Sequence, residues 1–238
     1  MGRKSRIKKE RKLQVNNAPV KLSNHANKVP GSVYRFFKEE WQAEALCRGE
    51  VWVSTLEECR GYEDPLQGDP DEAKHTYRSG TISGGSSDPG FVEVASRCAI
   101  YVGGNVKNFT ISDFTIIHSI RDAYVLCTTK EFSPDVLSDT FGNYCVEIIN
   151  PNSFYEKVTA EISKKTHLIS SSLGEVKYRR REFSGLDVPP GKLGFVKTVD
   201  GYATQKEFRF LWEPKPTEKI EPFLVTCPPV AKLCKRIA

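Results

Sequence analysis

Three short segments carry side chains whose chemistry would matter if the fold brought them together. They are Arg35 near the start, Ser54-Thr55 further on, and Gln205-Lys206-Glu207 near the end. A carboxylate such as Glu207, held beside a ribose, stabilises the positive charge that builds on the sugar as a nicotinamide–ribose bond breaks. It also accepts a hydrogen bond from a ribose hydroxyl. An arginine such as Arg35 on a neighbouring strand holds a phosphate or ribose with its planar fork of donors. A hydroxyl such as that of Ser54 or Thr55 can orient the carboxylate. Cleavage of NAD, or transfer from it, is one chemistry that such a set could serve.

Other chemistries have weaker support or none. Glu175-Val176-Lys177, with Asp135 or Asp139 upstream, has the residue types of a metal-dependent nuclease, in which two carboxylates and a lysine hold a divalent ion and a water. The four histidines, at 25, 75, 118 and 167, are scattered, with no His-Glu-x-x-His. There is no Gly-x-Ser-x-Gly nucleophile elbow, and the Gly/Ser stretch 78–90 lacks the Gly-Lys-Ser/Thr of a phosphate loop. The seven cysteines form no Cys-x-x-Cys, so neither a disulfide framework nor a structural metal site is expected. Cys127 and Cys145 lie in apolar runs and read as small core residues.

The net charge of +5 is unevenly spread. Arg3, Lys4, Arg6, Lys8, Lys9, Arg11 and Lys12 stand against Glu10, so residues 1–13 carry +6 and the remainder −1. Such a run attracts nucleic acid without sequence preference, or it only solubilises a flexible tail. The non-enzyme alternative is therefore a binding module that docks nucleic acid through residues 1–13. No apolar run of membrane-spanning length and no secretory leader is evident, so a cytoplasmic protein is expected.

The elements that would position these groups follow from pattern and punctuation. Residues 1–30 read as a flexible basic tail, and 31–238 as one α+β domain with a curved, mostly antiparallel sheet and a few helices. "SVYRFF" reads as a strand, followed by a helix over "KEEWQAEALCRG" with Trp41, Ala45 and Leu46 as its apolar stripe and Gly49 after its end. "EVWVS" is a second strand, and Ser54 and Thr55 each precede a glutamate by three residues, as helix caps do. "GYEDPLQGDPDE" is a turn-rich elbow, 78–90 a flexible loop, and "CAIYVGGNVKNFTI" two strands about a glycine turn. "AYVLCTT" reads as a strand buried on both faces. "SPDVLSDTFG" and "NPNSFYEKVTAEISKK" read as helices, the second with Phe154, Val158 and Ile162 inward. "EVKYRRR", "LGFVKT", "TQKEFRFLW" and "PFLVTC" read as late strands. In "TQKEFRFLW", Phe208, Phe210 and Trp212 share one face, and Gln205, Glu207 and Arg209 share the other, expected to line a cleft. Arg179-Arg180-Arg181 reads as an exposed basic strand.

Taken with their order along the chain, Arg35, Ser54-Thr55 and Gln205-Lys206-Glu207 resemble the Arg…Ser-Thr-Ser…Gln/Glu-x-Glu constellation of the ADP-ribosyltransferase superfamily. Here Leu56 stands at the third Ser-Thr-Ser position. The resemblance implies that Glu207 is catalytic, that Gln205 positions the acceptor, that Ser54 braces Glu207, and that Arg35 with Tyr34, Ser54 and Thr55 binds NAD. It also implies a toxin or phage-defence setting. A longer series, "VYRFF", "GEVWVSTLEECRGYEDPLQG", "YCVEI" and "FVKTVDGYATQKEFRFLW", resembles a widespread bacterial family of unknown function, with a Tyr-Arg-Phe start, a strand ending in Ser, an Asp-Pro elbow and a late Glu-x-Arg strand. That likeness adds Asp64, Lys197 and Arg209 to the expected cleft.

Overall fold

The computed structural model describes residues 29–217 and 219–238. In chain order the elements are β1 (Ser32–Phe37), α1 (Glu40–Cys47), β2 (Glu50–Thr55), α2 (Leu56–Gly61), β3 (Lys74–Arg78), β4 (Thr81–Gly84) and α3 (Pro89–Arg97). Then come β5 (Phe109–Ser112), β6 (Thr115–Ser119), β7 (Tyr124–Thr129), α4 (Pro134–Phe141), β8 (Tyr144–Ile149), α5 (Pro151–Ile162) and β9 (Leu168–Glu175). The last are β10 (Lys177–Tyr178), β11 (Glu182–Ser184), β12 (Val196–Lys197), β13 (Glu207–Pro214), β14 (Phe223–Thr226) and β15 (Cys234–Arg236).

Eight strands form the main sheet, which is antiparallel at every pairing: β14-β2-β7-β1-β8-β15 along one path, with β13 joining β7 to β9. Three small sheets flank it: β11-β3-β6, β4-β5 and β10-β12. The fold is thus α+β and mostly antiparallel, with few helices. No helix among the described residues is long and apolar enough to cross a membrane.

The apolar pattern explains the packing. Phe208, Phe210 and Trp212 project from one face of β13 onto α5, where Phe154 and Tyr155 lie against Phe210. Phe154, Val158 and Ile162 are fully buried, one helical turn apart, as the four-residue spacing predicts. Nε1 of Trp212, on that side, donates to Oγ1 of Thr159 at 2.7 Å. β7 is buried on both faces, as its unbroken apolar run predicts. Gly49 follows α1 at φ +86°, and a Cβ there would meet the carbonyl oxygen of Cys227 at 2.5 Å, so the helix end needs glycine twice over.

Several expectations give way to tertiary context. Trp41 is 63% exposed; α1 packs through Ala43, Ala45 and Leu46 instead. The 78–90 segment is ordered: Thr81–Gly84 pairs with β5, and Asp88 caps α3 through the amides of Gly90 and Phe91. Of the two strands expected in 98–111, only β5 forms. "EVKYRRR" gives no long strand. The long partner of β13 is β9, whose polar "LISSSLGE" has serines where a buried strand is expected to be apolar. Arg181 is buried rather than exposed, because its guanidinium forms a bidentate pair with Asp69. Val29, assigned to the tail, packs on the main core. The basic run Arg3, Lys4, Arg6, Lys8, Lys9, Arg11 and Lys12 lies outside the described residues.

Candidate functional site

A cavity of about 400 Å³ opens where the main sheet splits. One edge of β7 is paired along its whole length with β13, from Thr129 opposite Glu207 to Tyr124 opposite Trp212. The other edge serves two strands. β2 holds its start, with Ser54 opposite Val125, and β1 holds its end, with Tyr34 opposite Thr129. Between these attachments Leu126, Cys127 and Thr128 have no partner in β1 or β2. The strands splay, and the gap between them is the cavity. Arg35 reaches across it from β1, Nη1 lying 3.4 Å from the carbonyl oxygen of Trp52 on β2, with its guanidinium over the ring of Phe37.

The structure brings Tyr34, Arg35, Ser54, Lys197, Gln205, Glu207 and Arg209 into this one lining. Thr55 and Asp64 are not part of it. Thr55 caps α2, its hydroxyl accepting from the Glu58 amide at 3.2 Å. Asp64 folds its own elbow, accepting from the amide of Leu66 and the side chain of Gln67. Ser54 does not brace Glu207: its hydroxyl donates to Oε2 of Glu58, one turn away on α2. Gln205 is not on the strand either. Lys206 has φ +43°, which starts β13 at Glu207 and leaves Gln205 in a 3₁₀ turn. Its amide nitrogen donates to the carbonyl oxygen of Leu66, tying the elbow to the cavity wall.

The buried end of the cavity is a network of four charges. Arg209 donates through Nε to Oε1 of Glu207 at 2.7 Å, and through Nη1 and Nη2 to both oxygens of Glu72 at 2.8 and 3.1 Å. Its Nη1 also reaches the carbonyl oxygen of Gly194 at 2.7 Å. Lys197 Nζ lies 2.9 Å from Oε2 of Glu207 and 3.8 Å from Glu72. All four side chains are buried. Charges this deep are stable only when paired, and here two acids offset two bases. Burial alone would raise the Glu207 carboxyl, but Arg209 and Lys197 outweigh it and hold it at about 2. Glu207 is therefore ionised at neutral pH. Its Oε2 is buried and ion-paired with Lys197.

Arg35 has a different environment. It is half-buried, makes no ion pair among the described residues, and has its pKa lowered by loss of hydration. The walls beside it are aromatic: Tyr34, Phe36, Phe37, Trp52, Tyr62 and Phe141. Around the whole lining, Arg35, Lys38, Lys197 and Arg209 face only Glu72 and Glu207, an excess of two positive charges.

Glu72, Gln67, Cys59 and Tyr62 belong to the site without having stood out in the sequence. Glu72 was read as part of a turn. Its direction is set by Ala73, which takes a left-handed backbone at φ +58° and donates its amide to Oε1 of Glu72. The nuclease set is not assembled here. Glu175 pairs with Lys130 at 3.0 Å, and Asp135, Asp139, Glu175 and Lys177 are all outside the lining. Among the described residues no group of three or more His, Cys, Asp or Glu side chains is placed to hold a metal ion.

Compared with known proteins, the chain matches no family model, no curated relative and no solved structure.

Proposed function

We propose that the cavity binds NAD, and that the chain cleaves the nicotinamide–ribose bond or passes the ADP-ribosyl group to an acceptor. The observation that carries this reading is Arg35, a half-buried guanidinium facing the gap between β1 and β2 with no carboxylate partner among the described residues. A cation stripped of water gains most from a phosphate, which its planar donors fit in bidentate fashion. Tyr34, Tyr62 and Trp52 offer ring faces to a base or to nicotinamide. The volume of about 400 Å³ lies within the range of small-molecule sites, roughly 300–1,000 Å³. Glu207 supplies a carboxylate that stays ionised at the buried end of the cavity.

A second reading, binding without cleavage, is favoured by one specific feature. Lys197 and Arg209 cancel much of the charge that Glu207 would offer to a developing sugar cation. Nicotinamide release separates the two. It is measured from NAD with wild type and Glu207→Gln, each with and without added nucleic acid. Release by wild type alone, with the variant folded, supports cleavage. Stimulation by nucleic acid identifies that class of acceptor, which residues 1–13 would help to hold. NAD binding without release supports the second reading.

A further inference from the structure

The small sheet β11-β3-β6 ends at β6 in an unguarded edge. The amide of Ile120 donates to the carbonyl oxygen of Ala73, and the amide of Ser79 donates to that of Phe114. The pairing of β6 with β3 therefore extends from Phe114 to Ile120, and Ile117 is its midpoint. In an antiparallel ladder, successive residues turn their backbone groups to opposite sides. Phe114, Ile116, His118 and Ile120 turn theirs to β3, so Thr115, Ile117 and Ser119 turn theirs outward. All three are exposed, and among the described residues no strand pairs with that side.

Protein edges are normally blunted by lysine, proline or a bulge. The edge of β14 is guarded in this way, with Nζ of Lys165 donating to the Leu224 carbonyl oxygen at 3.2 Å. The β6 sequence, Thr-Ile-Ile-His-Ser, has no proline, lysine, arginine or acid. It leaves Ile117 63% exposed, and Phe114 beside it 44% exposed.

We infer that β6 pairs with β6 of a second copy of this chain, antiparallel, about a two-fold axis at Ile117. That centre sets Ile117 of one copy against Ile117 of the other, and Thr115 against Ser119. All three outward residues of β6 are then used, and each pair exchanges both its N–H···O bonds. On the opposite face Phe114 lies against Ile120, and Ile116 against His118. Charge selects the same register. Carried one residue beyond each end of the pairing, it places Asp113 of one copy beside Arg121 of the other, and the symmetry repeats the contact. Both residues are exposed, and neither has an ion-pair partner among the described residues. Moving the axis to Ile116 or His118 sets Asp113 against Ser119, or Arg121 against Thr115, and loses that match. The sheets of the two copies thereby become one.

No residue from Asp113 to Arg121 lines the cavity, so the test is independent of the NAD reading. Sedimentation equilibrium of the full chain should show the mass rising from one chain to two with concentration. Added salt should weaken the association by screening Asp113 and Arg121. Ile117→Lys sets two ammonium groups against each other at the axis. It should abolish the dimer in a variant that keeps the parent's circular dichroism. Ile117→Cys should give a covalent dimer on mild oxidation, because Cα atoms across such a pair lie about 5.5 Å apart, within disulfide reach. Thr115→Cys, whose two copies lie well apart along the ladder, should not, and nor should wild type. A chain that stays monomeric at every concentration would overturn the inference and leave the edge to a segment of another protein. It is also overturned if Ile117→Lys dimerises like wild type, or if oxidation crosslinks Thr115→Cys as readily as Ile117→Cys.

Discussion

The Lys197 ammonium lies 2.9 Å from Oε2 of Glu207, while Arg209 occupies Oε1 of the same carboxylate at 2.7 Å. Glu207 is thereby both the best-placed anion in the cavity and a member of a closed structural network. Any substitution at this residue acts on stability as well as on chemistry.

Glu207→Gln should therefore destabilise the protein. Removing one member of a buried ion pair leaves its partners uncompensated, at a cost of about 3–5 kcal/mol. Urea unfolding of wild type and variant measures this. A difference under about 1 kcal/mol would mean that water reaches Lys197 and Arg209 more freely than their burial implies.

Arg35→Ala should behave in the opposite way. Arg35 holds no acid partner among the described residues; its guanidinium bonds the Trp52 carbonyl oxygen and lies over the Phe37 ring. Its loss should leave the unfolding midpoint nearly unchanged. Binding of a phosphate-bearing ligand should weaken by about 1.5–3 kcal/mol, roughly ten- to a hundred-fold in Kd. Quenching of Trp52, half-exposed at the cavity wall, reports the binding, with Trp52→Phe as the control.

Acid should expose the same network. Glu207 is held at about 2, below its ordinary 4.5. A depressed carboxylate contributes stability that is present above the unfolded value and lost as pH falls through the folded one. The unfolding free energy of wild type should thus fall between about pH 4.5 and 2, and the curve for Glu207→Gln should be flatter over that window. Denaturant titrations at stepped pH compare the two slopes.

The cavity mouth can be disturbed from outside. Gly142 ends α4 at φ +102°, and a Cβ there would lie 2.0 Å from the carbonyl oxygen of Phe37 and 2.4 Å from Cα of Lys38. Gly142→Ala must push the end of β1, so it should cost about 1–3 kcal/mol of stability. It should also weaken ligand binding without removing any side chain of the lining. Thermal melting and Trp52 fluorescence follow the two effects.

Strands β1, β2, β7, β8, β13 and β14 and helices α1, α2, α4 and α5 were legible from the sequence, some through apolar spacing dictated by what they bury and others through caps and turn residues. Phe154, Val158 and Ile162 are one example, and Phe208, Phe210 and Trp212 another. The cleft face of β13 was legible for Glu207 and Arg209, since alternation sends both away from the aromatic core. Gln205 escaped that rule because the left-handed turn at Lys206 interrupts the strand, and lysine gives no warning of it. Glu72 was hidden for a similar reason, in a turn whose aim depends on left-handed Ala73. The serines of β9 and the pairing of Arg181 with Asp69 depend on partners far away in sequence, which local pattern does not encode.

Calorimetric titration of NAD into the wild-type chain and Arg35→Ala tests the central claim most directly. The account predicts saturable binding by wild type, weakened roughly ten- to a hundred-fold by the substitution in a variant that melts like the parent. Absence of binding to wild type, or equal binding by both proteins, would contradict it.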